Sequence, residues 1–175
     1  MAVIIGSTRV GRIGDTVAAW FLDRARLRDD LEPTVIDLAG FDFPPCFPER
    51  PTPPMAEFAR QVGEAEAFVL VTPEYNHSFP ASLKQAIDFA YDEWHAKPVG
   101  FVSYGYRSGG LYAVEQLRGI CTELHMVSMR DCVSIDLLAD GPGECHEQAA
   151  TAMLGQLAWW GRALRAARAE RPYVS

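Results

Sequence analysis

No apolar run in this chain of 175 residues approaches the roughly 20 residues that a membrane-spanning helix requires. The opening Met1–Gly6 stretch is far too short for the core of a signal peptide, so the sequence reads as a cytoplasmic protein. A basic balance is missing as well. Lys and Arg number 16 against 23 Asp and Glu, for a net charge of -7, which argues against a nucleic-acid partner. The four cysteines, Cys46, Cys121, Cys132 and Cys145, show no CxxC spacing and read as buried or incidental thiols. Cys121 and His125 could share a helix face, but no second pair exists to complete a zinc site, so no metal is expected. Internal repeats and charged tails are absent. The length suits one domain, residues 1–175, and is too short for two ordinary ones. A domain of this size buries roughly 70% of its unfolded surface and needs no disulfide or metal to hold its core.

Present instead are five apolar, β-branched segments at residues 2–5, 33–38, 67–72, 98–104 and 126–135. The third is a continuous apolar run, as expected of a strand covered on both faces. Helical spacing lies between them. Val17, Phe21 and Ala25 recur at i, i+4, i+8. Leu83, Ile87, Ala90 and Trp94 form a second stripe, and Leu111, Val114, Leu117, Cys121 and Leu124 a third. Ala149, Met153, Leu157, Trp160 and Leu164 mark a last helix over about 144–168. Such alternation predicts an α/β fold: a flavodoxin-like, doubly wound, five-stranded parallel sheet in the order 2-1-3-4-5, with helices on both faces. Ligands of that architecture bind beyond the strand C-termini at the switch point, where the loops after strands one, three and four meet. Residues 39–54 are Pro-rich and read as a long loop or lid.

Those three loops hold the unusual residues. The first runs Gly6-Ser7-Thr8-Arg9-Val10-Gly11-Arg12-Ile13-Gly14. Its glycine spacing is not G-x-G-x-x-G. It fits G-x4-G, but Arg12 and Ile13 stand where a phosphate-binding loop needs Lys and a hydroxyl, and the third strand carries no acid for magnesium. What remains is a strand-to-helix turn whose amides, hydroxyls and Arg9 guanidinium suit a terminal phosphate. The second loop is Thr72-Pro73-Glu74-Tyr75-Asn76-His77-Ser78, where Pro73 stiffens the strand exit and Asn76 tolerates turn geometry. The third is Ser103-Tyr104-Gly105-Tyr106-Arg107-Ser108-Gly109-Gly110, whose glycines permit close approach to a flat ring and open the next helix.

With GSTR, PEYNHS-x-P and SYGYRSGG in this order, the sequence resembles the NADPH-dependent FMN reductase family over essentially its whole length. The resemblance implies FMN held without a covalent bond. Its phosphate would lie against Ser7, Thr8, Arg9, Arg12, Ile13 and Gly14. Its ring would lie between Pro73, Glu74, Tyr75 and Asn76 on one side and Ser103, Gly105, Gly109 and Gly110 on the other. NADPH or NADH would reduce it, and a quinone, azo dye, metal oxyanion or free flavin would accept the electrons. Hydride transfer to a flavin needs no side-chain proton donor, so no catalytic residue is named; His77 reads as a loop-shaping or subunit-contact residue, and the roles of Tyr106 and Arg107 stay open. A non-enzymatic FMN electron carrier or an FMN redox sensor is the alternative. Carriers tend to use an uncharged, hydroxyl-rich phosphate loop, whereas this one has Arg9 and Arg12. Finally, the helix from about Ser82 carries Phe89, Tyr91 and Trp94 at spacings that cannot all face its own core. They predict a homodimer or homotetramer, with His77 and Phe79 near the interface.

Overall fold

The structure, a computed structural model, describes residues 1–139 and 141–174. Four short strands and one long one carry the frame: β1 (Ala2–Ile5), β2 (Thr34–Asp37), β3 (Phe68–Pro73), β4 (Pro98–Gly105) and β6 (Val133–Asp136), with a two-residue strand β5 (Val127–Ser128) before β6. All pair in parallel, in the order β2-β1-β3-β4, and β4 then pairs with both β5 and β6. This is the expected flavodoxin-like order. The fifth strand, expected as one run over 126–135, is broken instead. The Met129 N–H still reaches Val99 O of β4 at 2.8 Å, but Arg118 of the neighbouring helix donates to the Met129 and Arg130 carbonyls at 2.6 and 2.9 Å, so on the carbonyl side the link between the two halves bonds to a side chain.

Every residue of β3 and β4 is buried, because helices cover both faces. On one face lie α1 (Gly14–Ala25) and α5 (Glu144–Glu170), whose Phe21, Leu22, Met153 and Leu157 pack on Val3, Val69 and Val102. The other face carries α2 (Pro53–Glu64), α3 (Ala81–Asp88) and α4 (Leu111–Glu123), with Phe58, Val62, Leu83 and Leu117 against Ile4, Leu70 and Phe101.

Three sequence expectations need correction. Helix α3 ends at Asp88 and does not continue to Trp94, which sits on a separate 3-10 turn. Trp94 is fully buried against Phe58 and Phe68 and donates its indole N–H to Ala90 O at 2.9 Å, so it is a core residue and not part of an exposed face. Phe89 is half-buried beside Phe43 and Phe47, which leaves only Tyr91 of the three truly exposed. The Pro-rich stretch is partly anchored: Phe41 and Phe43 stack at 5.4 Å and meet Phe58 edge-on, and Pro53 and Pro54 open α2. On α5 the buried stripe runs through Ala150, Met153, Leu154, Leu157, Ala158 and Gly161, so Trp160 lies beside it rather than in it.

Candidate functional site

The C-terminal ends of β1, β3 and β4 bring the three singled-out loops to one edge of the sheet. Loop one leaves β1 at Gly6 and enters α1 at Gly14. Along it Thr8, Arg9, Val10, Gly11 and Ile13 are exposed. Ile13 occupies the N-cap place of α1 without a capping side chain. Within the protein the N–H groups of Thr8, Arg9, Val10, Gly11, Ile13 and Gly14 find no acceptor among the described residues. An uncapped helix start with free amides is a place for an anion. A side chain at Gly14 would run into the Ser7 and Tyr104 hydroxyls, so glycine is needed for α1 to close onto the loop.

Two of the residues expected at the phosphate brace the loop in the described chain. Arg12 donates to the Ser7 carbonyl at 2.5 Å and forms a two-point ion pair with Asp37 at the end of β2. The Arg12 hydrogen bond holds the Asp37 carboxyl below its ordinary range, and the pair raises the guanidinium in turn. Ser7 is fully buried; its Oγ accepts the Tyr104 hydroxyl at 3.1 Å. Burial pushes that phenol up to about 12, so it is a neutral donor. Arg9 is different: it makes no ion pair among the described residues and lies over the Tyr75 ring, 5.7 Å from the centroid.

Loop two is a tight hairpin turn. Tyr75 and Ser78 exchange both backbone hydrogen bonds, at 2.8 and 3.0 Å, while Asn76 and His77 take φ of 52 and 63 degrees. Pro73 is buried at the end of β3, and the Glu74 N–H donates to Tyr104 O at 3.0 Å. Helix α4 pins the tip: Gln116 donates to His77 O at 2.6 Å and accepts the Ser78 hydroxyl at 2.7 Å, and the His77 ring stacks on Tyr112 at 4.1 Å. The loop-shaping reading of His77 accords with these contacts.

Loop three folds back on the sheet. Ser103, fully buried, donates to Gly109 O at 2.8 Å, and Ser134 of β6 donates to the same carbonyl at 3.0 Å. Gly110 has φ of 89 degrees, and a Cβ there would lie 2.6 Å from Ser103 Cβ, so only glycine makes this turn without strain. Gly105 closes β4 in contact range of Glu74. Asp136 accepts the N–H groups of Leu138 and Arg107 at 2.9 and 3.0 Å, which holds its carboxyl below the usual range and the backbone of Arg107 at a positive φ. Tyr106 and Arg107 are exposed on the rim.

The residues expected to hold the flavin thus lie on or beside three loops at one sheet edge. Asp37, Ser108, Tyr112, Gln116, Ser134 and Asp136, which support them, were not singled out. Asp37 and Asp136 carried one signal, an acid at the C-terminal end of an apolar strand, and Ser108 lies in loop three itself; Tyr112, Gln116 and Ser134 lie on neighbouring elements that only the fold brings close. A groove of about 670 Å³ lies at the opposite, N-terminal edge, lined in part by Met1, Leu31, Val35, Ala158 and Arg162, and shares none of these loops.

Free amides in loop one, beside the side-chain-poor turn of Gly105, Gly109 and Gly110, fit a ligand carrying a phosphate. Known proteins point the same way. An NAD(P)H-dependent FMN reductase of Nectria sp is 32% identical over 123 residues, 62% of this chain and 61% of that protein; the chain therefore spans less than two thirds of that relative's length. A 2-hydroxy-1,4-benzoquinone reductase of Burkholderia sp is 30% identical over 140 residues, 74% of this chain and 73% of the other. Among solved structures, the flavoenzyme NAD(P)H:(acceptor) oxidoreductase FerB from Paracoccus denitrificans superposes with a TM-score of 0.73 at 20% identity, over 94% of this chain and 96% of that one, which shows the shared fold. The model of the NADPH-dependent FMN reductase family matches residues 1–140, all three loops included, and the chain belongs to that family.

Proposed function

We propose that the chain is an FMN-dependent oxidoreductase that takes electrons from NADPH or NADH and passes them to a small acceptor, a quinone first and an azo compound, metal oxyanion or free flavin by extension. The observation that carries this reading is the pairing of two features at one sheet edge: free amides at the uncapped start of α1, and beside them loops two and three, turned tightly at Gly109 and Gly110 where a side chain would strike Ser134 and Ser103. Thr8 to Gly11, the start of α1 and Arg9 would hold the phosphate; Arg12 would act through Asp37 and the Ser7 carbonyl by fixing the loop. Pro73 to Asn76 and Ser103 to Gly110 would flank the ring. The chemistry bound FMN supplies is the uptake of a hydride and the later release of two electrons. The chain's own contribution is to bind, orient and exclude water; no side chain has to move a proton, and the buried, neutral Tyr104 phenol stays a loop brace.

We place the protein in the cytoplasm as a homodimer or homotetramer. With Trp94 in the core, support for self-association moves to Tyr91 and to the exposed Tyr106, Leu111, Tyr112 and Leu138 near the cleft. The direct test is steady-state oxidation of NADPH by the FMN-loaded protein. Turnover that requires both the protein and benzoquinone is expected. Reduction only through a separate reductase protein would instead make the chain an electron carrier.

A further inference from the structure

Helix α4 starts after Gly110 with no capping side chain from its own segment. Its cap comes from loop two. Glu74 Oε2 accepts the Ser108 hydroxyl at 2.8 Å and the Tyr112 N–H, in the first turn of α4, at 3.2 Å. The Glu74 backbone is tied to β4 through its N–H to Tyr104 O, so one residue spans loop two, loop three and α4. A helix start carries roughly half a positive elementary charge, and a full carboxylate charge set against it leaves a net negative end. The helix end that Gly109 and Gly110 open is therefore one that Glu74 already occupies.

We propose that Glu74 is a positioning residue with an electrostatic role: it latches loop three to loop two before a ligand arrives, and its charge beside the cleft disfavours a reduced, negatively charged ring there, lowering the reduction potential of bound FMN. The inference rests on the reading of this cleft as the flavin site. It concerns a property that contact with the ring by backbone alone would not give, because the potential is then set by the carboxylate's charge and not by the loop's shape.

The test measures FMN affinity and midpoint potential in the FMN-loaded protein, with Glu74→Gln and Ser108→Ala as variants. Glu74→Gln keeps the shape and an acceptor but removes the charge. It is expected to hold reduced FMN about tenfold more tightly relative to oxidised FMN, a rise of about 30 mV for two electrons. Ser108→Ala keeps the charge and removes one strut of the latch; FMN binding should weaken several-fold while the potential stays put. An unmoved potential in Glu74→Gln with FMN bound overturns the proposal, as does a rise in Ser108→Ala equal to that in Glu74→Gln. Should Glu74→Gln not fold, Glu74→Asp keeps the charge on a shorter arm and must weaken binding at a low potential; a raised potential there also overturns it. Failure of the unmodified chain to bind FMN at all would instead refute the flavin reading, and this inference with it.

Discussion

Arg9 and Arg12 belong to one loop, yet the fold assigns them different work. Arg12 is held by Asp37 from the next strand, 25 residues away, while Arg9, among the described residues, has only the face of Tyr75. The loop's chemistry made Arg9 a candidate for the phosphate and the family resemblance implied Arg12; that Arg12 is a brace depends on a partner no local pattern identifies. Replacing Arg9 by Ala should weaken FMN binding roughly 10- to 150-fold, the worth of a hydrogen bond to a charged group, with thermal stability unchanged. Fluorescence titration of the apo-protein reads the first and a melting curve the second. Arg12→Ala should do the reverse in part, lowering the melting temperature because Asp37 loses its partner. A second residue-scale expectation concerns Lys97. Its amine is buried, donates to Val62 O and Gly63 O at 3.0 and 2.9 Å, and is lowered to about 8, chiefly by burial. In the unfolded chain a lysine titrates near 10.4. Between these values the unfolded state binds the extra proton, so this group's contribution to stability rises with pH from about 8 to about 10.4. Denaturant midpoints at pH 7.5 and 9.5 should show that rise, and Lys97→Met should remove it. An equal rise in the variant would exclude Lys97 as its source.

At the scale of elements, β1, β3 and β4 were legible because continuous apolar runs have few other places in a domain of this size. Helices α1 and α4 were legible by their stripes. Helix α2 was not singled out: it emerges from the Pro-rich stretch, and its buried Met55, Phe58 and Val62 are separated by charged residues. The stripe Leu83, Ile87, Ala90, Trp94 looked like one helix because the chain keeps turning past Asp88, but it does so through shorter i to i+3 bonds, Trp94 to Tyr91 and His95 to Asp92. That difference has a measurable consequence. A core Trp94 replaced by Ala should cost about 3–5 kcal/mol, whereas an interface Trp94 would mainly change the oligomeric state. Chemical denaturation combined with light scattering separates the two. The loop-three turn is equally specific: Gly110→Ala, at φ of 89 degrees and against Ser103, should lower stability by about 1–3 kcal/mol and weaken FMN binding more than it alters the far edge of the sheet.

For the whole molecule, the strand order places loops one, two and three at a single edge, so under the proposed function donor and acceptor of electrons would share one opening. The candidate site was legible as a set of loops because the parallel order and its switch point follow from alternation of strand and helix. Its internal wiring, Glu74 to α4, Gln116 to His77 and Ser134 to Gly109, was not, because each link joins residues at least 25 apart in sequence that only the folded sheet brings together. A shared opening implies sequential use and parallel lines in double-reciprocal plots. The half-reaction beneath those lines is the most direct test. Under anaerobic conditions, NADPH or NADH added to the FMN-loaded protein should bleach the flavin absorbance, and a quinone added afterwards should restore it. A flavin that stays oxidised with both nicotinamides would contradict the account.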